Sequence, residues 1–185
     1  MNKFPLFTNL ISFLWGLLEA TVFFLVPDIW LSREAIFSLR RALISICFAV
    51  LGALIGGAII YYFANLNTEQ IGSLLDNIPG ISPDLIAKPE AQISDIGFFS
   101  SLLNGMLTGI PYKIYAYQAA LQNIPFYLFI VFSTVARSAR FMTVTFFVWT
   151  INAALKNRCS LRFRLWLHAI CWGVFYILYF YIFGI

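Results

Sequence analysis

Charge is what this chain has least of. Only 11% of its 185 residues are Asp, Glu, Lys or Arg, against about 25% in a typical soluble domain. With 61% hydrophobic residues and a mean hydropathy of +0.85, such a chain could not solvate its own surface. A soluble enzyme and an aqueous nucleic-acid binder are both excluded as readings. Histidine occurs once, at His168, so a hydrolytic site would lack partners. Gly-x-Ser-x-Gly, His-Glu-x-x-His and Walker patterns are absent. Cys47, Cys159 and Cys171 are an odd set without metal spacing, which points to free, buried thiols rather than a disulfide framework or a metal centre. No cofactor, no metal and no enzymatic activity are expected.

What is present is a set of long uncharged runs. Ala42 to Thr68 gives 27 residues without a charge, Ile114 to Ala136 gives 23, and Leu165 to Ile185 gives 21. About 20 apolar residues cross a hydrocarbon core of about 30 Å, so the chain reads as an all-α integral membrane protein. Phe141 to Leu155 is separated from the run before it only by Arg137 and Arg140, and Phe126 to Leu155 is expected to be one long, tilted helix. Met1-Asn2-Lys3 and the apolar run behind it imitate a signal peptide. Glu19 interrupts that run and no convincing small-x-small cleavage site follows, so the segment is expected to remain as structure.

Charge bias orients the spans. Lys156, Arg158, Arg162 and Arg164 make residues 156–164 a basic loop with no acid, and residues 32–41 hold Arg33, Glu34, Arg40 and Arg41. Both are expected on the cytoplasmic side. Residues 65–95 hold five acids and only Lys88, the natural external loop. Within it Ile71, Leu74, Leu75 and Ile78 fall at helical spacing and predict a short interfacial helix, with Asn77-Ile78-Pro79-Gly80 as a turn. Parity then requires residues 96–125 to enter and leave from one side, as a re-entrant hairpin with its tip at Ile110-Pro111-Tyr112. Leu10 to Leu31 is expected to be a second hairpin, entering from the opposite face and breaking at Pro27-Asp28.

The two hairpins are spaced alike. Pro27 precedes Arg41 by 14 residues, and Pro111 precedes Pro125 by 14. A hairpin plus a span, repeated in inverted orientation, is a plan common among secondary transporters, with a binding site near the midplane. The expected layout is a single membrane domain over residues 1–185. Residues 10–64 form the first hairpin and span, 65–95 the polar loop, 96–155 the second hairpin and span, 156–164 the basic loop and 165–185 an extra C-terminal span. The competing layout is five plain spans.

Five ionisable residues fall inside these apolar segments: Glu19, Asp28, Lys113, Arg137 and Arg140. Each costs at least about 2.5–3.5 kcal/mol near a bilayer centre, which makes each a candidate functional residue. Arg137 and Arg140 are i and i+3 on one helix face. The acids belong to the first half and the bases to the second, so folding the halves together could neutralise them as structural ion pairs. Two carboxylates against three cations nevertheless leave +1, or +2 with Glu19 protonated. An uncompensated cation suits an anion, and a phosphate in particular suits paired arginines. Lys113, Arg137 and Arg140 are therefore the candidate headgroup-binding residues, and Glu19 and Asp28 the candidate proton-coupling ones. Gly52-xxx-Gly56 and Gly105-xxx-Gly109 are small-xxx-small patterns suited to close helix packing. Tyr61, Tyr62, Trp149, Trp166 and the aromatics of residues 175–183 are expected at the interface or facing lipid, with His168 at the mouth of the last span.

Several of these segments resemble a known family. Leu18-Glu19-Ala20-Thr21-Val22-Phe23-Phe24-Leu25-Val26-Pro27-Asp28-Ile29-Trp30-Leu31 is similar to the first hairpin of the DedA superfamily, also called the VTT or SNARE-associated group. Gly52 to Tyr62 resembles that family's Gly-rich helix ending in Tyr. Gly109-Ile110-Pro111-Tyr112-Lys113, followed by Ala136-Arg137-Ser138-Ala139-Arg140-Phe141, resembles its YqaA-type branch. Leu25 and Val26 stand where prolines are usual there, and Ala136 stands for a glycine. The resemblance implies an inverted-repeat membrane fold that flips or scrambles phospholipids or polyprenyl-phosphate carriers, often linked to proton motive force. It puts Glu19 and Asp28 on the family's acidic positions and Lys113, Arg137 and Arg140 on basic ones. The expected partners are membrane lipids, with no nucleic acid, and a homo-oligomer is compatible with the sequence. The expected location is a bacterial inner membrane. The rival expectation is a non-transporting scaffold whose charges only pair with one another.

Overall fold

A computed structural model describes residues 4–183; Met1, Asn2 and Lys3 and the end of the last predicted span lie outside them. The described residues form nine helices and no strand. Three are long and apolar enough to cross a membrane: α3 (Leu39–Leu66), α8 (Phe126–Leu155) and α9 (Leu161–Phe183). The protein is thus all-helical and membrane-embedded. The remaining helices are α1 (Phe4–Glu19), α2 (Asp28–Phe37), α4 (Thr68–Asp76), α5 (Pro83–Ile96), α6 (Phe98–Thr108) and α7 (Tyr112–Leu121). With 16 residues in α1 and 10 in α2, these two are about 24 Å and 15 Å long, too short to cross alone.

Glycine sets the closest helix contact. A Cβ on Gly16 would stand 2.9 Å from the Ala49 carbonyl carbon, and one on Gly52 would stand 2.9 Å from the Leu17 amide nitrogen. Gly56 lies against Leu17 and Ala20. Rising numbers on α1 therefore meet rising numbers on α3, and the two helices run parallel, with α2 returning the chain between them. The second half repeats the relation. Phe98 and Phe99 meet Phe132, while Gly105 and Met106 border one small void with Arg137 and Arg140, so α6 runs parallel to α8. Against each other α3 and α8 are antiparallel: Tyr61 stacks on Phe129, and Ile46, Ala49 and Val50 share a cluster with Phe141.

Helix ends follow local chemistry. The side chain of Asn67 caps α4 by accepting the Gln70 N–H at 3.2 Å, and Ser82 caps α5 by accepting the Leu85 N–H at 3.3 Å, with Pro83 in the first turn where its missing N–H costs nothing. Gly109, at φ +76°, ends α6 in the left-handed conformation. The predicted interfacial helix is α4, and the acidic segment holds a further helix, α5, with Pro89 inside it. Leu75, Ile78, Ile81, Leu85 and Ile93 of this segment join the larger core.

Several details differ from the sequence expectations. The first break opens after Glu19 and covers residues 20–27, rather than lying at Pro27-Asp28. Pro27 precedes α2 in a helical conformation (φ −62°), so it marks where a helix starts. Arg162 and Arg164 stand on the first turn of α9 instead of in the loop, because the Ser160 hydroxyl accepts the Phe163 N–H and begins the helix there. Tyr61 does not face outward to lipid: its hydroxyl donates to the Ile124 carbonyl at 2.8 Å and its ring packs on Phe126 and Phe129. The cysteines are free, but Cys47 and Cys171 are exposed and Cys159 is half-buried. His168 is tied into a hydrogen-bonded cluster with Ser32 and Trp172.

Candidate functional site

The break at residues 20–27 is non-helical backbone within an apolar protein, so its polar groups need partners. Side chains from three helices supply them. The Trp15 indole N–H donates to the Leu25 carbonyl at 3.0 Å, and the Lys113 ammonium donates to the Phe23 carbonyl at 2.7 Å. The Tyr176 hydroxyl accepts the Val26 N–H at 2.8 Å. Phe23 N–H itself reaches back to the Leu18 carbonyl at 2.7 Å, widening the last turn. The break is therefore defined by long-range contacts with α7 and α9 as much as by its own residues.

All five predicted ionisable residues meet around it. Glu19 ends α1 beside Gly56, close to the middle of α3, and accepts a hydrogen bond from the Arg137 guanidinium of α8. Arg137 lies between two rings, 4.9 Å from the Tyr112 centroid and 4.5 Å from that of Phe141, which suits a planar cation. Asp28, on the first turn of α2, accepts from Arg140 Nε at 3.2 Å. Its carboxylate at a helix start also complements the helix dipole. Lys113, 1% exposed, differs from the two arginines: its hydrogen-bond partner is a carbonyl, not a carboxylate. The pairing of first-half acids with second-half arginines leaves one buried cation over.

That cation borders a cavity. About 460 Å³ opens between the two helix breaks, the turn around Pro79 and the C-terminal half of α9. Glu19, Lys113 and Arg140 line it together with Phe23, Phe24, Pro111 and Tyr176 among others, so an apolar chamber carries three ionisable groups. Such a space can take an amphipathic molecule, with an anionic group against Lys113 and Arg140 and hydrocarbon against the rings.

Sequence reading missed other members of the site. Tyr112 was read only as part of a hairpin tip and Tyr176 only as one of the aromatics of residues 175–183, yet Tyr112 lies under the Arg137 guanidinium and Tyr176 accepts the Val26 N–H of the break. Outside the site, Glu34 was counted within a basic cluster, yet it is a 1% exposed acid held by Arg33 at 3.0 Å and Arg41 at 2.7 Å. A lone acid among three arginines was the available signal. No protein-family model, no curated protein and no solved structure matches this chain, so the likeness to DedA proteins rests on the short motifs quoted above.

Proposed function

We propose that this is a transporter-like membrane protein that translocates, by flipping or scrambling, a phospholipid or polyprenyl-phosphate lipid, with Glu19 as its proton-linked switch. The observation that carries this reading is the mostly apolar cavity of about 460 Å³ with Glu19, Lys113 and Arg140 in its lining. The parallel runs of α1 beside α3 and α6 beside α8, with α3 and α8 antiparallel, support two hairpin-plus-span units in inverted orientation. In that plan, sites lie between the units at mid-depth. Lys113 and Arg140 hold the lipid phosphate by charge-assisted hydrogen bonds. Protonation of Glu19 removes a negative charge from a cluster already one cation in excess, so proton uptake strengthens anion capture and proton release favours its departure. Asp28 steadies Arg140 for that contact. The location proposed is a bacterial inner membrane, and the family proposed is the DedA superfamily.

The pairs Glu19–Arg137 and Asp28–Arg140 favour a second reading, a scaffold in which buried charges only fix packing. The two separate in proteoliposomes containing fluorescent phospholipids and a membrane-impermeant quencher. Glu19→Gln and Arg137→Gln alone each strand a buried charge, at a cost of about 3–5 kcal/mol, whereas the double variant leaves a neutral pair. On the transport reading, the double variant regains stability but not lipid movement. If the wild type moves no lipid above empty vesicles, with several headgroups and an imposed pH gradient, the scaffold reading replaces it.

A further inference from the structure

A second cavity, about 300 Å³, lies between α8 and α9 at the end of the bundle that carries the basic turn. These two spans follow one another in the chain, yet α9 packs on α2 rather than on α8, and their facing sides stand apart. Val144, Phe147, Val148 and Ile151 line one wall, and Leu167 and Cys171 line the other. Water has no polar partners along such walls, so hydrocarbon is the fitting filler.

The mouth of the groove is of a different character. Arg164 donates to Asn152 Oδ1, and Asn152 in turn donates to the Ile36 carbonyl at 3.2 Å. This fixes the guanidinium at the rim, where its Nε is buried and has no hydrogen-bond partner within the protein. Lys156 and Arg158 stand exposed on the adjoining turn, and Arg162 stands exposed on the first turn of α9. Among the described residues none of these four bases forms an ion pair. Deeper in, His168 Nε2 accepts the Trp172 indole N–H at 3.1 Å, which leaves the ring proton on Nδ1 as a further donor.

We propose that this groove holds one anionic phospholipid from the leaflet on the side of the basic turn, with an acyl chain between α8 and α9 and its phosphate at Arg164. The reasoning is charge complementarity at the rim of a hydrocarbon-shaped gap: a partnerless guanidinium donor and three unpaired bases at one end, apolar walls below. The site is separate from the chamber at Lys113, and its occupation does not depend on lipid translocation.

Native mass spectrometry of the full chain, released from nanodiscs of equal parts phosphatidylglycerol and phosphatidylcholine with identical acyl chains, tests it. One lipid per chain beyond any held in the Lys113 chamber should remain bound, with phosphatidylglycerol favoured roughly tenfold, because both lipids carry the phosphate but only phosphatidylcholine brings a quaternary ammonium against Arg164 and the neighbouring bases. Arg164→Gln should abolish the preference at this site, and Val148→Trp, which fills the groove, should remove this lipid whichever headgroup it carries. Circular dichroism identifies any variant that has failed to fold, and Lys156→Gln then gives a milder loss of preference at the exposed turn. Equal retention of the two lipids by the wild type would overturn the proposal. So would a preference unchanged in folded Arg164→Gln, or copies that cross-link through Cys171, because a second chain would then fill the gap.

Discussion

Replacing glycine by alanine within a helix ordinarily stabilises it by roughly 0.8–1.0 kcal/mol through backbone entropy. In this protein the same replacement should carry opposite signs at different glycines. Around Gly173 of α9 nothing lies within 4 Å of an added Cβ, so Gly173→Ala should gain close to the full amount. At Gly16 and Gly52 the added carbon meets backbone of the facing helix at 2.9 Å, where ordinary contact begins at 3.4 Å, with a carbonyl oxygen nearer still. Backbone cannot rotate aside as a side chain can, so α1 and α3 must part by about 1 Å, which forfeits a quarter to a half of each dispersion contact along the seam. Overpacking of this kind costs about 1–3 kcal/mol. Net of the propensity gain of roughly 0.8–1.0 kcal/mol, each of Gly16→Ala and Gly52→Ala should lose up to about 2 kcal/mol. For a chain of this size that is a fall of up to roughly 8 °C in thermal midpoint, read by fluorescence-detected size exclusion after heating in detergent. Both residues guard one seam, so the double variant should cost less than the sum of the singles. A rise in midpoint for either single variant, or full additivity in the double, would refute the close parallel packing of α1 on α3.

Two further outcomes bear on the chamber. Tyr176→Phe removes the acceptor of the Val26 N–H and should cost about 1 kcal/mol; hydrogen exchange of peptides covering residues 20–27 should accelerate, and unchanged exchange would remove α9 from the control of the break. Lys113→Met keeps the length of the side chain, deletes a desolvated ammonium and leaves one carbonyl without its donor, so stability should change by less than about 1 kcal/mol while lipid movement in proteoliposomes is lost; retained movement in the folded variant would discard Lys113 as a phosphate ligand.

The sequence spoke most clearly where a local signal and a long apolar run agreed. Phe126 to Leu155 is one helix with Pro125 before it, and two arginines inside it cannot break a helix whose backbone bonds are all internal. The Ile110-Pro111-Tyr112 break was legible for the same reason, with Gly109 and Pro111 stopping one helix and starting the next. The first break was misplaced because Ala20-Thr21-Val22 carries no stop signal. α1 ends there through the donors and acceptor of Trp15, Lys113 and Tyr176, residues 10 to 150 positions away along the chain from their partners. Tyr61 escaped notice for a related reason, since only the fold reveals the Ile124 carbonyl that turns it inward. Among the charges, the five residues were visible as intramembrane anomalies, but which acid meets which base depends on the antiparallel setting of α3 and α8 and could not be read along the chain.

That setting also explains why the surplus cation matters more than the pairs. A buried acid and arginine can be exchanged for apolar side chains with little loss or even a gain in stability, so ion pairs alone are weak grounds for function. Lys113 is another matter. Its ammonium is withdrawn from water and repaid by a single backbone carbonyl, a return smaller than the cost of desolvating a charge. Packing alone would favour methionine or leucine at that position. The ammonium instead lines a chamber with Glu19 and Arg140, on the boundary between the two halves of the chain. A charge held there at a net cost is accounted for when an anion arrives to share it, and the apolar walls around it suit an anion that brings its own hydrocarbon.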